Sequence, residues 1–290
     1  MRHYKHHEID FEKWDTCINK AYNSLVYAQS WYLNIVSPGW EALILDDYKA
    51  VMPLPRKKKY GIAYLVQPIV TQQLGVFSEQ KIGADILQQF VDNIPYKSYC
   101  LQLNSENVLE KSRQLPNYEL DLKQNYDELF QTFSHNTQRN IAKIEKSNIV
   151  ITEMFAPHEF LDLYCSTTKN YSEPDKNIVS QLICTGFERK KISLYGAYSG
   201  ENTLIASLCI LHSKNRLIYW LPISNDEGKK TMAMFAIVNS IIRRYARRSI
   251  IFDFEGSQID GVARFYKGFG ARLHPYCQIR RLRPRIIFDR

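Results

Sequence analysis

Two carboxylates two residues apart, Asp253 and Glu255, stand just before Gly256 and Ser257. After Gly261 comes Phe265-Tyr266-Lys267-Gly268-Phe269-Gly270, an aromatic and lysine cluster set among glycines. Residues two apart on a strand share one side, so Asp253 and Glu255 would face together with Phe254 opposite. Neighbouring carboxylates raise one another's pKa, which suits a proton acceptor. A tyrosine hydroxyl or a lysine ammonium can donate to a developing oxyanion. Together these are parts for acyl transfer to an amine, which needs the amine unprotonated, the carbonyl polarised and the two held together. The competing reading of Asp253 is a loop residue that accepts from the backbone N–H groups after it. The sequence leaves both open.

The charge balance points to an anionic partner. Lys and Arg number 38 against 30 Asp and Glu, a net charge of +8, which suits RNA, coenzyme A, a nucleotide-sugar diphosphate or anionic lipid head groups. Three basic clusters stand out: Arg56-Lys57-Lys58-Lys59, Arg243-Arg244 with Arg247-Arg248, and the tail Arg280-Arg281-Leu282-Arg283-Pro284-Arg285. Taken singly, each reads as a solvated face or edge. Arg139, Lys143 and Lys146 fall at helical spacing on one face. Arg139 and Lys143 could grip an acceptor's phosphate, the arginine bidentately, or they could be a solvated face. Trp31 reads as core or cleft wall.

Other classes are disfavoured. The composition is that of a globular protein. No apolar run approaches the roughly 20 residues of a membrane span. The start Met1-Arg2-His3-Tyr4-Lys5-His6-His7 has no apolar core after it, so no secretory signal is expected and the cytoplasm is the expected location. The six cysteines are scattered, without ligand spacing, so no metal site is expected. No Gly-x-Ser-x-Gly, phosphate-loop or metal motif occurs.

The elements that must carry these residues are clearest in the second half. Apolar, β-branched and aromatic runs bounded by turn residues predict strands at Ile192–Tyr198, Thr203–Leu211 and Arg216–Leu221. Met234, Val238, Ile241 and Tyr245 recur at helical spacing within a predicted helix Lys229–Arg248. A strand Ser249–Phe254, a helix Asp260–Gly268 and a strand Ala271–Ile279 follow. The strand-helix-strand step predicts a parallel crossover in a mixed α/β sheet flanked by helices. The first half repeats this order more faintly: strands at Glu41–Leu45, Lys49–Leu54 and Ile62–Val66, a helix at Glu79–Phe90, then strands at Ser98–Leu103 and Leu115–Leu122. Residues Tyr126–Lys146 read as mostly helical. Two domains are therefore expected, residues 1–122 and 123–290, the second with the donor site.

The chain resembles the GNAT acyltransferase superfamily, and within it the Fem-type branch. That branch carries two GNAT-like domains in tandem and includes the aminoacyltransferases that build peptidoglycan cross-bridges. Gln29-Ser30-Trp31 is similar to the branch's early Gln-Ser-Trp, and Asn136 to Lys143 to its basic helix. Asp253-Phe254-Glu255-Gly256 matches Asp-Phe-x-Gly, and Gly261 to Gly270 matches Gly-x-x-x-Phe-x-x-x-Phe-Gly. The resemblance implies a bacterial acyl- or aminoacyltransferase with an anionic donor, acyl-CoA or aminoacyl-tRNA. It implies an amine-bearing acceptor such as a nucleotide-linked cell-wall precursor, whose diphosphate an arginine near Arg139 would bind.

Two departures matter. The phosphate-binding loop of acetyl-CoA users is replaced by Asn225-Asp226-Glu227-Gly228-Lys229-Lys230, in which only Gly228 fits. Lys229 and Lys230 would attract a pyrophosphate, while Asp226 and Glu227 would repel it. That favours a charged-tRNA donor over plain acetyl-CoA. Tyr266 stands where many branch members have the oxyanion-stabilising lysine, and Lys267 sits one residue on, a turn of about 100° along a helix. Asp253, Glu255, Tyr266 and Lys267 are thus the candidate catalytic residues, with Arg139, Lys143 and Trp31 for the acceptor and Gly228, Lys229 and Lys230 for the donor. The alternatives are an acyl-CoA-dependent N-acetyltransferase of a small-molecule, lipid or polysaccharide amine, and a non-catalytic module for RNA or a nucleotide sugar.

Overall fold

A computed structural model of the chain describes residues 1–154, 156–168 and 173–282. Arg283 and Arg285 of the basic tail lie outside the described residues. The chain divides into two compact units, Met1–Leu115 with Pro275–Arg290, and Pro116–His274. Both crossings fall immediately before a proline. Proline bars its predecessor from helical geometry and offers no N–H to a ladder, so each crossing interrupts a strand.

This changes the expected division at 122. The stretch read as one strand, Leu115–Leu122, is two: Arg113–Leu115 in the first unit and Tyr118–Asp121 in the sheet of the second. The expected last strand likewise splits. Arg272–Leu273 pairs with Tyr118–Asp121, and Tyr276–Arg281 returns to the first unit between Tyr99–Gln102 and Arg113–Leu115.

The first unit holds two sheets. One runs Arg2–Tyr4, Glu41–Leu45, Ala50–Leu54, Phe77–Ser78; the other runs Arg56–Lys59, Ile62–Val66, Tyr99–Gln102, Tyr276–Arg281, Arg113–Leu115. Helix Ala84–Asp92 closes Leu87 and Phe90 onto a core with Leu43, Leu54, Leu65 and Leu101. Ile62–Val66 and Tyr99–Gln102 are parallel, with that helix between them in sequence.

The second unit is one seven-stranded sheet, in the order Val150–Met154, Ile192–Tyr198, Leu204–Ser213, Arg216–Ser224, Ile251–Asp253, Tyr118–Asp121, Arg272–Leu273. Arg216–Ser224 and Ile251–Asp253 form its parallel pair, and the other neighbours are antiparallel. Helix Ala233–Tyr245 makes the crossover and buries Ile237, Val238, Ile241 and Ile242 against the sheet. The single helix expected over Lys229–Arg248 is broken. Asp226–Lys230 is separate, and Met232 takes a left-handed φ of 60° before Ala233. Apolar periodicity alone does not register such a break, because Met234 onward keeps its spacing on both accounts.

Candidate active site

The site is built where the parallel pair of the second unit comes apart. The pairing runs Arg216 to Ile251, Leu217 to Phe252 and Ile218 to Asp253, and ends there. One strand continues with a bulge: Ile210 pairs with Tyr219 and Cys209 with Leu221, leaving Trp220 over, which bends a strand and tightens its twist. The other strand stops at Asp253. Phe254 N–H donates to Tyr118 O at 2.9 Å and Tyr118 N–H donates to Glu255 O at 3.0 Å, both toward the strand on the far side. The rings of Tyr219, Phe254 and Tyr266 occupy the region of parting, with centroid separations of 5.1–5.7 Å.

Asp253 is buried and held at both oxygens. Oδ2 accepts from Arg216 Nη1 at 2.6 Å, and Oδ1 accepts from the Glu255 backbone N–H at 2.9 Å. Arg216 Nη1 also donates to Glu119 Oε1 at 2.6 Å. Glu119 lies opposite Asp253 in the ladder, a like-charge pairing that costs stability unless a cation joins it. Burial works to lower the Arg216 pKa, and the charges of Asp253 and Glu119 more than reverse this, raising it. Arg216 and Glu119 escaped the sequence reading. They lie 37 and 134 residues from Asp253, and only sheet order, which no local pattern encodes, brings the three together.

The strand alternation expected for Asp253 and Glu255 does not hold, because the strand ends at Asp253 and Glu255 has a left-handed φ of 59°. A non-glycine residue there is uncommon and marks a backbone fixed by its surroundings. Glu255 is half-buried.

Helix Asp260–Gly268 separates Tyr266 from Lys267, as the turn angle requires. Tyr266 is buried among Tyr118, Tyr219, Phe254 and Phe265. Lys267 is exposed, its Nζ lying 5.5 Å from the Tyr118 ring centroid. Burial first, then the carboxylates of Glu255 and Asp253, hold the Tyr266 hydroxyl well above the usual tyrosine range. It therefore stays protonated as a hydrogen-bond donor. The helix end is fixed by close approach: a Cβ on Gly268 would lie 2.5 Å from Thr137 Oγ1, and Ser134 N–H donates to Gly268 O at 2.9 Å. Gly268, at an unspecified position of the motif, thus lets this helix dock against the one that carries Arg139.

Arg139 and Lys143 lie exposed on that helix, His135–Glu145, and Arg139 Nη2 donates to Asn136 Oδ1 at 2.9 Å. Trp31 belongs to the first unit, where it is buried on helix Ser30–Val36 with Nε1 donating to Gln29 Oε1 at 2.7 Å.

Gly228 is buried and its amide donates to Asn225 Oδ1 at 2.8 Å. A Cβ there would meet Ile205 O at 2.2 Å, so the glycine answers a backbone approach. Lys229, Thr231 and Met232 donate to Asn225 O, Glu227 O and Lys229 O. The amides of Gly228, Lys229, Thr231 and Met232 thus have partners within the chain. Lys229 and Lys230 are exposed, with Lys229 Nζ 3.5 Å from Asp226 Oδ1. A cavity of about 870 Å³ lies in the first unit, lined by Lys13, Cys17, Asp47, Tyr48 and Lys81 among others, and the Asp253–Tyr266 cluster is not part of its wall. Size is the weaker guide here; the cluster concentrates the hydrogen-bonding chemistry. Among the described residues, no group of three His, Cys, Asp or Glu is placed to hold a metal ion.

No protein-family model and no curated protein matches the chain. Solved structures do. The fold is similar to that of FemX, at 11% identity over 98% of each chain and a TM-score of 0.69. It is similar to a conserved protein of unknown function from Bacteroides thetaiotaomicron, at 11% identity over 93% of this chain and 97% of that one, TM-score 0.58. It is similar to L-PGS from Bacillus licheniformis, at 11% identity over 88% and 87%, TM-score 0.53. The chain shares the fold of FemX, with mixed sheets flanked by helices in each of two units. Among the described residues, no helix is long and apolar enough to cross a membrane.

Proposed function

We propose that the protein is an acyl- or aminoacyltransferase with an amine acceptor, acting in the cytoplasm, and that its donor is an aminoacyl-tRNA. The observation that carries this is the placement of Tyr266, a hydrogen-bond donor set among aromatic rings at the parting of a parallel strand pair and close to Glu255 and Asp253. In this reading the acceptor nitrogen bonds to the donor's ester carbonyl carbon. Tyr266 O–H donates to the oxyanion that forms, and Glu255 takes the proton the nitrogen loses. The carbon–oxygen ester bond breaks and the ribose oxygen leaves with a proton. Asp253 is the positioning residue, since both its oxygens are engaged. Arg139 and Lys143 attract the phosphates of the acceptor, and Trp31 is assigned to the first unit's core.

The donor assignment rests on the amides of Gly228 and Lys229, already bonded within the chain, and on the exposed Asp226 and Glu227 beside them. An anionic pyrophosphate gains little from amides it cannot reach.

The test is transfer from bulk charged tRNA to nucleotide-linked peptide amines, with calorimetry against acetyl-CoA and longer acyl-CoAs. Wild type should transfer from tRNA and show no tight acyl-CoA binding. Tyr266→Phe keeps the ring and should lose about 10²–10³ in rate at unchanged stability, while Lys267→Met should lose far less. Tight, salt-sensitive acyl-CoA binding followed by turnover would reverse the donor assignment. Binding of charged tRNA without turnover on any amine would replace the transferase with a binding module.

A further inference from the structure

The basic run Arg56-Lys57-Lys58-Lys59 has no part in the site above. It forms the outer strand of the first unit's five-stranded sheet, paired on one side only with Ile62–Val66. Lys59 pairs with Ile62, so Tyr60 and Gly61 alone make the turn. Both have positive φ, 50° and 78°, the two-residue turn that matches sheet twist and favours asparagine, aspartate or glycine at its first position. Here that position holds a tyrosine, strained there and 92% exposed. Ile62 beside it is 45% exposed. Lys57 and Lys58 are exposed and have no ion-pair partner among the described residues. Lys59 Nζ lies 5.6 Å from the Tyr60 ring centroid.

Lysines on an outer strand keep other strands from pairing with it. That accounts for the charges and leaves Tyr60 and Ile62 unexplained, because both add apolar surface at the tip. A tyrosine held at a strained turn position makes one weak contact, with the Lys59 ammonium, and otherwise leaves its ring in solvent. We propose that the hairpin Arg56–Val66 docks on an anionic bilayer surface. Lys57 and Lys58 meet the head groups as point charges. The amphipathic Tyr60 ring and the Ile62 side chain enter the boundary between head groups and acyl chains. Ile62 decides between this surface and a nucleic acid: an aliphatic tip gains from the acyl boundary and has nothing to gain from phosphates or base faces. The inference stands whether or not the transferase reading holds.

The test is co-sedimentation of the full chain with vesicles of phosphatidylcholine alone or mixed with phosphatidylglycerol, at low and high salt. Wild type should sediment with the anionic vesicles, less at high salt, and not with the neutral ones. Lys57→Gln with Lys58→Gln should partition about thirtyfold less. Tyr60→Asn should partition several-fold less while unfolding at the same or a higher temperature, since asparagine suits the turn. A purely structural Tyr60 would move stability and leave partitioning alone. The proposal is overturned if wild type ignores anionic vesicles, if the variants sediment like wild type, or if the variants lose binding to a single-stranded RNA oligonucleotide and not to vesicles.

Discussion

The two units contain the same step, a strand, a helix and a parallel strand, and treat its seam in opposite ways. In the first unit the seam continues. Gln67 N–H donates to Cys100 O at 3.1 Å, Gln102 N–H to Gln67 Oε1 at 3.0 Å and Leu74 N–H to Gln102 O at 2.8 Å, and Leu74 then pairs parallel with Leu103. A loop fills the gap with backbone partners. In the second unit the seam stops at Ile218 and Asp253, and aromatic rings stand where a loop could have closed it. An unclosed seam in a sheet leaves polar groups to be satisfied by side chains or a ligand. The closed seam is held by backbone partners, whereas the open one leaves charged groups that must be held by other means.

The largest expected effect comes from removing what holds the open seam. Arg216→Met keeps the aliphatic stem and leaves Asp253 and Glu119 opposed in the ladder without a cation. Breaking a buried pair this way costs about 3–5 kcal/mol, measured by urea unfolding. Adding Glu119→Gln should recover part of the loss, because the like-charge opposition is then gone. A variant as stable as wild type would mean that the carboxylates, not the arginine, set the seam.

The closed seam should answer more mildly. Gln67→Ala removes the acceptor for Gln102 N–H and the donor to Thr71 O at 3.1 Å. About 1–2 kcal/mol of stability should be lost, with transfer activity unchanged. A fall in activity at constant stability would contradict the division of labour between the seams.

How much of this was legible follows from range. Asp253 to Gly270 is a local sequence, and its strand-loop-helix context could be read from neighbours alone. The turn angle of a helix was enough to separate Tyr266 from Lys267 in direction, though not to say which one faces inward. The aromatic neighbours decided that, and Tyr118 and Tyr219 come from distant strands. Arg216 and Glu119 gave no signal, since an arginine opening a strand after Asn215 and a glutamate alternating with Tyr118 and Leu120 are ordinary in any sheet. Gly228 was visible as a glycine, but not the packing that requires it: the Ile205 carbonyl it meets is 23 residues away. The strand exchange at Pro116 and Pro275 had a local mark, the prolines, and needed the sheet order to give them meaning.

The smallest effect separates the units by acid. His212, in the second unit, has its pKa lowered from 6.5, chiefly by burial, with Lys191 and Arg244 reinforcing the shift and Glu153 opposing it. The unfolded chain therefore takes up this proton first as pH falls. The group's contribution is complete above 6.5 and drains away below it, toward its lower folded value. Glu41, in the first unit, also has a lowered pKa. Burial works to raise it, and hydrogen bonds from Tyr96, Lys5 and His3 outweigh burial. Its contribution is complete above the ordinary 4.5 and is lost only as pH falls through a value below that. Hydrogen exchange at a series of pH values between 6.5 and 4.5 should therefore show the second unit loosening before the first. His212→Gln, which can still bond Ser193 Oγ in place of Nε2 at 2.9 Å, should flatten the second unit's response in that window and leave the first unit's alone. If the first unit loosens first, or if His212→Gln changes nothing, the acid sensitivity of the open-seamed unit lies in its carboxylates rather than in a buried imidazole.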